Sequence, residues 1–253
     1  MGAMRSLDSH AHIDPSRRFD ELAETGAVLA ATLSLDEAGS VIRNSVPHIL
    51  WGAGCHPRKL KALQGFNPAR FCELLQRTPL VSEIGLDRGA RTPLELQLGV
   101  FRQILEIIHN QPRLVSIHSY QATDLVLEEL RRKVVIAPIL HWWTGSAAET
   151  CQAVELGCYF SIHTAVARHS KFRLHVPIER VLVESDHGWS DPPAAIPCRI
   201  RWVEYLVAKQ YGREVDEVRA VVWGNLRSLV QKTGTGSLFP EQFMRSLEGG
   251  VSF

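Results

Sequence analysis

The fold class follows from residues 80–119, which read LVSEIGLDRGARTPLELQLGVFRQILEIIHNQPRLVSIHS. Residues 80–87 and 114–119 are short runs rich in Val, Ile and Leu, as expected for strands buried on both faces. Between them, apolar residues within 93–109 recur at the spacing of one helical face. A strand, a helix and a further strand in this order predict a parallel βαβ unit.

The same alternation continues along the chain on both sides of this unit. Apolar runs predict eight strands at residues 6–13, 28–34, 48–56, 80–87, 114–119, 134–142, 159–163 and 181–186. Amphipathic patterns predict helices at residues 93–109, 121–131, 146–156, 202–211 and 215–230. This alternation predicts an α/β fold, a parallel sheet closed into a (β/α)8 TIM barrel. No repeat or linker divides the chain, so we expect one domain over residues 1–253, with residues 1–4 as an expression remnant and residues 234–253 as a loose tail.

Composition and charge restrict the class of protein. The 253 residues are 45% hydrophobic and 22% charged, which is ordinary for a globular chain. With 28 basic and 27 acidic residues, the net charge of +1 excludes nucleic-acid binding through bulk charge but leaves local basic patches open. Five cysteines without a Cys-x-x-Cys pair indicate reduced thiols. Because no apolar run approaches the ~20 residues of a membrane span and no signal peptide is recognisable, we expect a cytoplasmic protein without a membrane partner.

Histidine residues and Asp186 lie at the ends of the predicted strands, and Glu83 lies within the fourth. They are His10, His12, His56, Glu83, His118, His141, His163 and Asp186, with His187 following directly. The C-terminal strand ends of a TIM barrel converge on one mouth, and inward-facing ionisable groups there are costly unless they are paired or bind cations. Each position alone is more typical of a hydrogen-bonded structural residue. Together they predict a metal cluster.

Six motifs resemble those of the TatD-type metal-dependent deoxyribonucleases within the amidohydrolase superfamily. They are Asp8-Ser9-His10-Ala11-His12, Gly54-Cys55-His56-Pro57, Ser82-Glu83-Ile84-Gly85-Leu86-Asp87, Ile117-His118-Ser119, His141-Trp142-Trp143-Thr144-Gly145 and Val183-Glu184-Ser185-Asp186. The resemblance implies a TIM barrel of the metal-dependent hydrolase type that hydrolyses DNA phosphodiester bonds. It implies the metal ligands His10, His12, Glu83, His118, His141 and Asp186, with His56 beside the metal ions.

Two divalent ions, Zn²⁺, Mn²⁺ or Mg²⁺, are the expected cofactors. Histidine and carboxylate ligands suit Zn²⁺, Mn²⁺ or Fe, whereas Mg²⁺ prefers oxygen. We expect Glu83 to bridge the ions, Asp186 to orient the attacking water and accept its proton, and His56 to complete the catalytic set. Asp8 and Glu184 are predicted to support the ligands, because metal-bound imidazoles usually donate their second N–H to a carboxylate or carbonyl. An ordinary hydrogen bond within the barrel is the alternative for both.

Basic and aromatic residues follow several predicted strands and are expected to surround the same mouth. The predicted substrate-binding residues are Arg58, Arg88, Arg91, Tyr120, Trp142, His163 and His187. Further candidates are Lys59, Lys61, Arg168, His169, Lys171 and Arg173 for phosphates, and Trp143 and Trp189 for stacking on unpaired bases. Alternatively, the basic residues belong to an ordinary solvated surface, and the tryptophans pack in the core. The expected partner is DNA, single-stranded or with frayed ends.

Two regions depart from the pattern of the TatD-type enzymes. Residues 187–193 read HGWSDPP where relatives have an Ala-Pro step and later an Arg-Asn-Glu-Pro segment, and His163 stands where Ser or Gly is usual. Tyr120 replaces a frequent basic residue. These changes leave two other interpretations open. One is a D-aminoacyl-tRNA deacylase or small-molecule amidohydrolase; the other is a subunit that binds protein partners in a multi-gene anti-phage system such as Qat. An unbroken ligand set favours an enzyme.

Overall fold

The protein is described here by a computed structural model that covers residues 4–15, 25–43, 46, 48–168, 175–189 and 199–247. Three of the basic residues expected at the mouth, His169, Lys171 and Arg173, lie outside the described residues, as do residues 190–193 of the divergent loop. No helix in the described ranges combines the length and the hydrophobicity that crossing a bilayer requires.

Strands and helices alternate along the described chain. The strands are β1 Ser6–Ala11, β2 Thr25–Ala30, β3 Ile49–Trp51, β4 Leu80–Gly85, β5 Leu114–His118, β6 Ile139–Leu140, β7 Tyr159–Ile162 and β8 Val181–Val183. The helices are α1 Leu35–Val41, α2 Leu60–Gln64, α3 Pro68–Leu75, α4 Leu94–Asn110, α5 Thr123–Arg132, α6 Ala147–Glu155, α7 Thr164–Ala167, α8 Arg201–Tyr211, α9 Val215–Thr233 and α10 Glu241–Leu247. Each predicted strand therefore has a counterpart, shorter than the apolar run that indicated it.

The strands pair in parallel in two runs, β1–β3 and β4–β8. On one side the runs are joined through Ala53, whose N–H donates to Leu80 O at 3.0 Å and whose carbonyl accepts from Ser82 N–H at 3.1 Å. On the other side, the N–H of Asp186 donates to the carbonyl of His10 at 3.0 Å. The sheet thus closes into a barrel, which confirms the predicted α/β TIM-barrel fold.

The hydrophobic core fills the barrel and the layer between the strands and the helices. Helix α4 shows how the sequence positions this layer: Phe101, Leu105 and Ile108 recur on one face and are all buried. Burial of both faces explains why the strands are continuous in apolar residues. Buried polar side chains also occur within the strands, among them His10 and Glu83 near the C-terminal ends of β1 and β4.

A buried ion pair joins helices α8 and α9, and a hydrogen bond links the pair to β1. The guanidinium of Arg219 in α9 donates to Glu204 in α8, with Nη2 2.7 Å from Oε2. The same carboxylate accepts from the hydroxyl of Ser6 in β1 at 2.9 Å. Because burying an unpaired carboxylate is costly, these contacts keep α8, α9 and β1 in one arrangement.

Residues 234–247 differ from the loose tail expected of them. Helix α10 buries Phe243 and Leu247, and the ring of Phe243 packs 5.3 Å from Phe239 and 6.2 Å from Trp223 of α9. The Gly/Ser-rich start that suggested a loose segment is only the turn after α9, where Gly234 adopts φ +65°. The apolar residues that follow at a four-residue spacing then pack as one helical face.

Candidate metal centre and substrate cleft

The C-terminal ends of four strands bring five imidazoles to one carboxylate, Glu83 of β4. Its Oε1 lies 2.7 Å from His118 Nδ1 and 3.0 Å from His141 Nε2. Its Oε2 lies 3.3 Å from the Nε2 atoms of both His12 and His56, and the fifth imidazole, that of His10, is 3.7 Å away. A carboxylate with imidazole nitrogens around both oxygens fits a site for divalent cations.

Asp186 faces the same cluster from the segment after β8. Its Oδ1 lies 3.7 Å from His12 Nε2 and 3.9 Å from His10 Nε2. Asp186 holds its backbone at φ +48°, in the left-handed region that residues other than glycine rarely adopt. Strained backbone of this kind is retained where the surrounding structure requires a particular side-chain direction, and here it turns the carboxylate into the mouth.

These residues fit divalent cations, as their unpaired atoms show. Within the described part of the chain, the buried Nε2 atoms of His10 and His56 and the buried Oε2 of Glu83 have no hydrogen-bond partner. Buried polar atoms normally have one. Three overlapping sets of side chains each place their ligand atoms within 4.8 Å of one another: His10–His12–Glu83, His10–His141–Asp186 and His56–Glu83–His118. Imidazole and carboxylate donors are those that Zn²⁺ and Mn²⁺ take.

Burial shifts the pKa values of three side chains in the cluster so that their neutral forms are favoured. It raises the pKa of Asp186 to about 9 and lowers the pKa of His10 to about 4 and that of His56 to about 3. Burial also opposes ionisation of Glu83, but the surrounding imidazoles hold the pKa of this carboxyl well below its usual range. Neutral imidazoles are the form that binds metal ions, and a cation would compensate the buried charge of Asp186.

Glu184, which follows β8 and is fully buried, contacts His141 of the cluster. Its Oε1 lies 3.3 Å from His141 Nδ1 and accepts the backbone N–H of Trp142 at 2.7 Å. Burial opposes protonation of His141, but the carboxylates of Glu184 and Glu83 raise its pKa well above the usual value. The contact fixes the ring so that Nε2 points at Glu83.

Asp8 supports the backbone of the mouth rather than an imidazole. Its carboxylate accepts the N–H of Ser185 at 3.0 Å and the hydroxyl of Ser185 at 2.5 Å. His10 Nδ1 lies instead 2.8 Å from the hydroxyl oxygen of Ser116. Asp8 therefore positions the segment that carries Asp186, and Ser116 takes the place expected for Asp8.

Asp87 is a site residue that the sequence analysis missed. Its Oδ2 lies 2.9 Å from His118 Nε2, on the ring edge opposite Glu83, and 3.4 Å from Arg58 Nη1. The signal was the two-residue spacing of Glu83, Gly85 and Asp87, which places all three on one side of an extended strand. Gly85, at φ +130°, leaves room for the carbonyl of His118, which a Cβ at this position would strike.

A cleft of about 420 Å³ opens onto the cluster. It is lined by Arg58, Glu83, His118, Ser119, Tyr120, His141, Trp142, Thr144, Asp186 and Trp189. Three of the predicted substrate residues, Arg58, Tyr120 and Trp142, are therefore in its wall. Trp189 stacks on His56, with centroids 4.6 Å apart, and the Lys59 ammonium lies 4.9 Å from the Trp189 ring.

The other predicted substrate residues lie beside this cleft or away from it. Arg88 is directed to α5, where its guanidinium binds both oxygens of Asp124 at 2.6 and 2.8 Å. Arg91 is exposed and does not line the cleft. His163 packs under Trp142, with centroids 4.0 Å apart, and accepts the N–H of Ala165 as the cap of α7.

Two further aromatic or imidazole candidates serve the framework. The His187 carbonyl accepts the N–H of His12 at 2.7 Å, which ties the segment after β8 to the end of β1. Trp143 is buried in the core, where its indole N–H donates to Thr150 at 3.0 Å, so it is not available for base stacking. Its neighbour Trp142, at φ +43°, turns into the cleft instead.

The closed α/β barrel and the histidine–carboxylate cluster at its mouth define the class of protein, a metal-dependent hydrolase of the amidohydrolase type. The sequence profile of the family described as TatD related DNase matches residues 7–231. The chain belongs to this TatD family.

Solved structures share the fold at low sequence identity. A TatD homologue from Escherichia coli K12 is 19% identical, with a TM-score of 0.77 over 89% of this chain and 98% of that chain. A TatD-family hydrolase from Entamoeba histolytica is 12% identical, with a TM-score of 0.70 over 90% and 98%. An uncharacterised amidohydrolase from Saccharomyces cerevisiae is 16% identical, with a TM-score of 0.72 over 89% and 99%. No curated protein matches in sequence.

Proposed function

We propose that this protein is a metal-dependent deoxyribonuclease that hydrolyses phosphodiester bonds in single-stranded or frayed DNA. The observation that carries the proposal is the convergence of five imidazoles on Glu83 at the base of a cleft walled by Arg58, Tyr120, Trp142 and Trp189. The family description agrees with this activity. A cationic group and flat rings beside a metal centre suit a substrate that presents a phosphate between bases.

The candidate ligands for divalent cations are His10, His12, Glu83, His118, His141 and Asp186. Cations held there supply Lewis-acid activation of a water nucleophile and neutralise charge on the phosphate oxygens. Glu83 contributes two oxygens with ligand nitrogens on both sides. Glu184 and Asp87 keep His141 and His118 turned toward it.

Proton transfer from the attacking water is assigned to Asp186. Its carboxylate lines the cleft and faces the imidazoles of His10 and His12. Arg58 also lines the cleft, and with 43% of its side chain exposed it is accessible to a substrate phosphate. Since its Nη1 already lies 3.4 Å from Asp87, the guanidinium is held at the rim rather than free to swing.

The flat walls of the cleft favour unpaired bases over duplex DNA. Tyr120 is 50% exposed and Trp189 is 37% exposed, although large aromatic side chains are usually buried. Bases can stack on such rings only where they are not paired and stacked within a duplex. A single strand or a frayed end therefore meets both the phosphate and the base requirements of the cleft.

Cleavage assays test the proposal directly. Single-stranded and duplex DNA are incubated with the protein and Mg²⁺, Mn²⁺ or Zn²⁺, and products are separated on gels. We expect cleavage of single strands that is lost in Asp186→Asn and in His118→Ala. Asp36→Asn is the matched control, because Asp36 is an exposed carboxylate on α1 paired with Arg70. Full cleavage by the two site variants would contradict the assignment.

A small-molecule substrate is the second candidate function. The cleft volume of about 420 Å³ lies within the range of pockets for small ligands. A panel of lactones, amides and D-aminoacyl-tRNA distinguishes the candidates: turnover of one of these without cleavage of DNA would favour an amidohydrolase or deacylase. Both candidates use the same cluster, so site variants alone do not separate them.

The interpretation as a partner-binding subunit of a multi-gene anti-phage system such as Qat stays a prediction from the family resemblance. Gene neighbourhood and co-purification with an ATPase partner test it. Hydrolysis and partner binding are compatible, because the cluster lies inside the barrel mouth and leaves the outer helices available for contacts.

A further inference from the structure

Helix α8 carries an unusual pair of exposed aromatic residues. Trp202 and Tyr205 are 47% and 46% exposed, and their rings stack with centroids 5.1 Å apart and planes 18° apart. The opposite face of the helix is apolar and buried, including Val203 and Val207. The pair is therefore not needed for packing α8 onto the barrel, and it presents a flat surface to solvent.

The same face is positively charged. Arg199, Arg201 and Lys209 are exposed, and none has an ion-pair partner among the described residues. The single acidic residue of α8, Glu204, is turned inward and bound by Arg219. A helix face with cations and flat rings but no outward carboxylate is complementary to a polyanion with unpaired aromatic bases.

This face adjoins the chain segments that carry the mouth of the barrel. A second cleft of about 360 Å³ is lined by Thr164, Ser185, Arg199 and Trp202. Ser185 directly precedes Asp186 of the metal cluster, and Thr164 directly follows His163. The His163 ring in turn packs 4.0 Å from Trp142 in the wall of the first cleft. The second cleft thus lies beside residues that follow β7 and β8, as does the His163 ring that packs on Trp142.

We propose that the second cleft and the exposed face of α8 form a secondary binding site for the single-stranded DNA that extends beyond the cleaved nucleotide. Arg199 and Arg201 bind its phosphates, and Trp202 and Tyr205 stack with its bases. This inference rests on the proposed nuclease function, since it names where the remainder of that substrate lies. Duplex DNA fits less well, because its bases are not free to stack on the pair.

Binding measurements with two strand lengths test the site. The probes are labelled phosphorothioate oligothymidylates of about 3 and about 16 nucleotides, which resist hydrolysis and differ in whether they can span both clefts. Fluorescence anisotropy of the metal-loaded protein gives Kd for each. In Trp202→Ala and Tyr205→Ala we expect Kd for the long strand to rise about fivefold or more, with no change for the short strand.

Salt dependence tests the role of the arginines separately. In Arg199→Gln and Arg201→Gln, the slope of log K against log salt for the long strand should fall by about 0.7 for each phosphate that the variant no longer binds. Arg131→Gln is the matched control, because Arg131 is an exposed arginine near the C-terminal end of α5. Trp202→Phe should retain most of the binding, and equal thermal melting of all variants shows that the fold is kept.

The outcomes separate this proposal from the nuclease proposal. Suppose that the wild type cleaves single strands and that the α8 variants bind the long strand with the same Kd as the wild type. The secondary site is then wrong, and the nuclease function stands. If the long strand binds through Trp202 and no DNA is cleaved with any metal, the nuclease function is wrong, and the α8 face is a binding site for single strands only. If no DNA binds, both proposals fail. Loss of self-association in the Trp202 variant with unchanged DNA binding would assign the face to a second copy and overturn the proposal.

Discussion

The Nε2 atom of His118 lies 2.9 Å from the Oδ2 atom of Asp87, while Nδ1 on the same ring faces Glu83. When a cation is bound, a carboxylate on the far nitrogen would keep the hydrogen on Nε2 and leave the Nδ1 lone pair for the ion. Asp87 is itself buried, and although burial opposes ionisation, its contacts with His118 and Arg58 lower its pKa below the usual value.

Asp87→Ala should reduce metal affinity or catalytic activity by about 10- to 100-fold, because the His118 ring then lacks the carboxylate that orients it. Metal content by elemental analysis, together with activity titrated against Mn²⁺ or Zn²⁺, measures the effect. Asp87→Asn is the matched variant, since its side-chain oxygen can still accept from Nε2–H. It should lose less metal affinity and activity than Asp87→Ala. Equal metal content and equal activity in the wild type and Asp87→Ala would show that the Asp87–His118 contact has no positioning role.

Asp186→Asn should lower kcat by about 10²- to 10⁴-fold, the usual contribution of a proton-transfer group. The amide keeps the shape of the carboxylate but cannot accept the proton from water. Steady-state kinetics on a single-stranded oligonucleotide provide the measurement, with bound metal quantified in parallel. Retention of both metal and full kcat would exclude Asp186 as the base.

Removing divalent cations should lower the melting temperature, because the buried carboxylates and imidazoles then lose the ions that compensate them. Occupancy at 100 times Kd stabilises a folded protein by about 2.7 kcal/mol, which corresponds to about 5–10 °C for a chain of this size. Thermal melting before and after treatment with a chelator, then with Zn²⁺ or Mn²⁺ restored, measures the shift. In Glu83→Gln the shift should be much smaller; equal melting of metal-free and metal-loaded wild type would count against the site.

Trp189→Ala should raise KM for single-stranded DNA by about fivefold or more and change kcat less, because the ring lines the cleft but holds no candidate metal ligand atom. Trp189→Phe keeps an aromatic surface, so its KM should lie between those of the wild type and Trp189→Ala. A fall in kcat with unchanged KM would instead indicate that Trp189 acts by holding His56, on which it stacks.

Arg219→Ala should destabilise the protein by about 3–5 kcal/mol, because it leaves the buried carboxylate of Glu204 without its cation. Urea denaturation gives the change in unfolding free energy. Asp216→Ala is the control: Asp216 also contacts Arg219, at 3.0 Å, but its side chain is 88% exposed, so a loss below about 1 kcal/mol is expected. In Glu204→Gln/Arg219→Ala much of the loss should be recovered, since no unpaired charge remains buried.

The sequence by itself determined the barrel and the residues at its mouth. Alternation of short apolar runs with amphipathic stretches is a local pattern, and it predicted β4, α4 and β5 within a few residues. Because parallel strands end at the same edge, a histidine or carboxylate at a strand end is expected near the mouth. His10, His118 and Asp186 could therefore be placed together before any distance was known.

Only the tertiary structure decided which atoms meet. Arg88 and Arg58 both follow strands, yet Arg88 pairs with Asp124 on α5 while Arg58 lines the cleft. Trp142 lines the cleft, whereas the adjacent Trp143 is buried in the core. These choices depend on side-chain rotamers and on partners distant in sequence, which local periodicity does not encode. The strand pattern thus specifies where the site lies, and long-range packing specifies which side chains reach it.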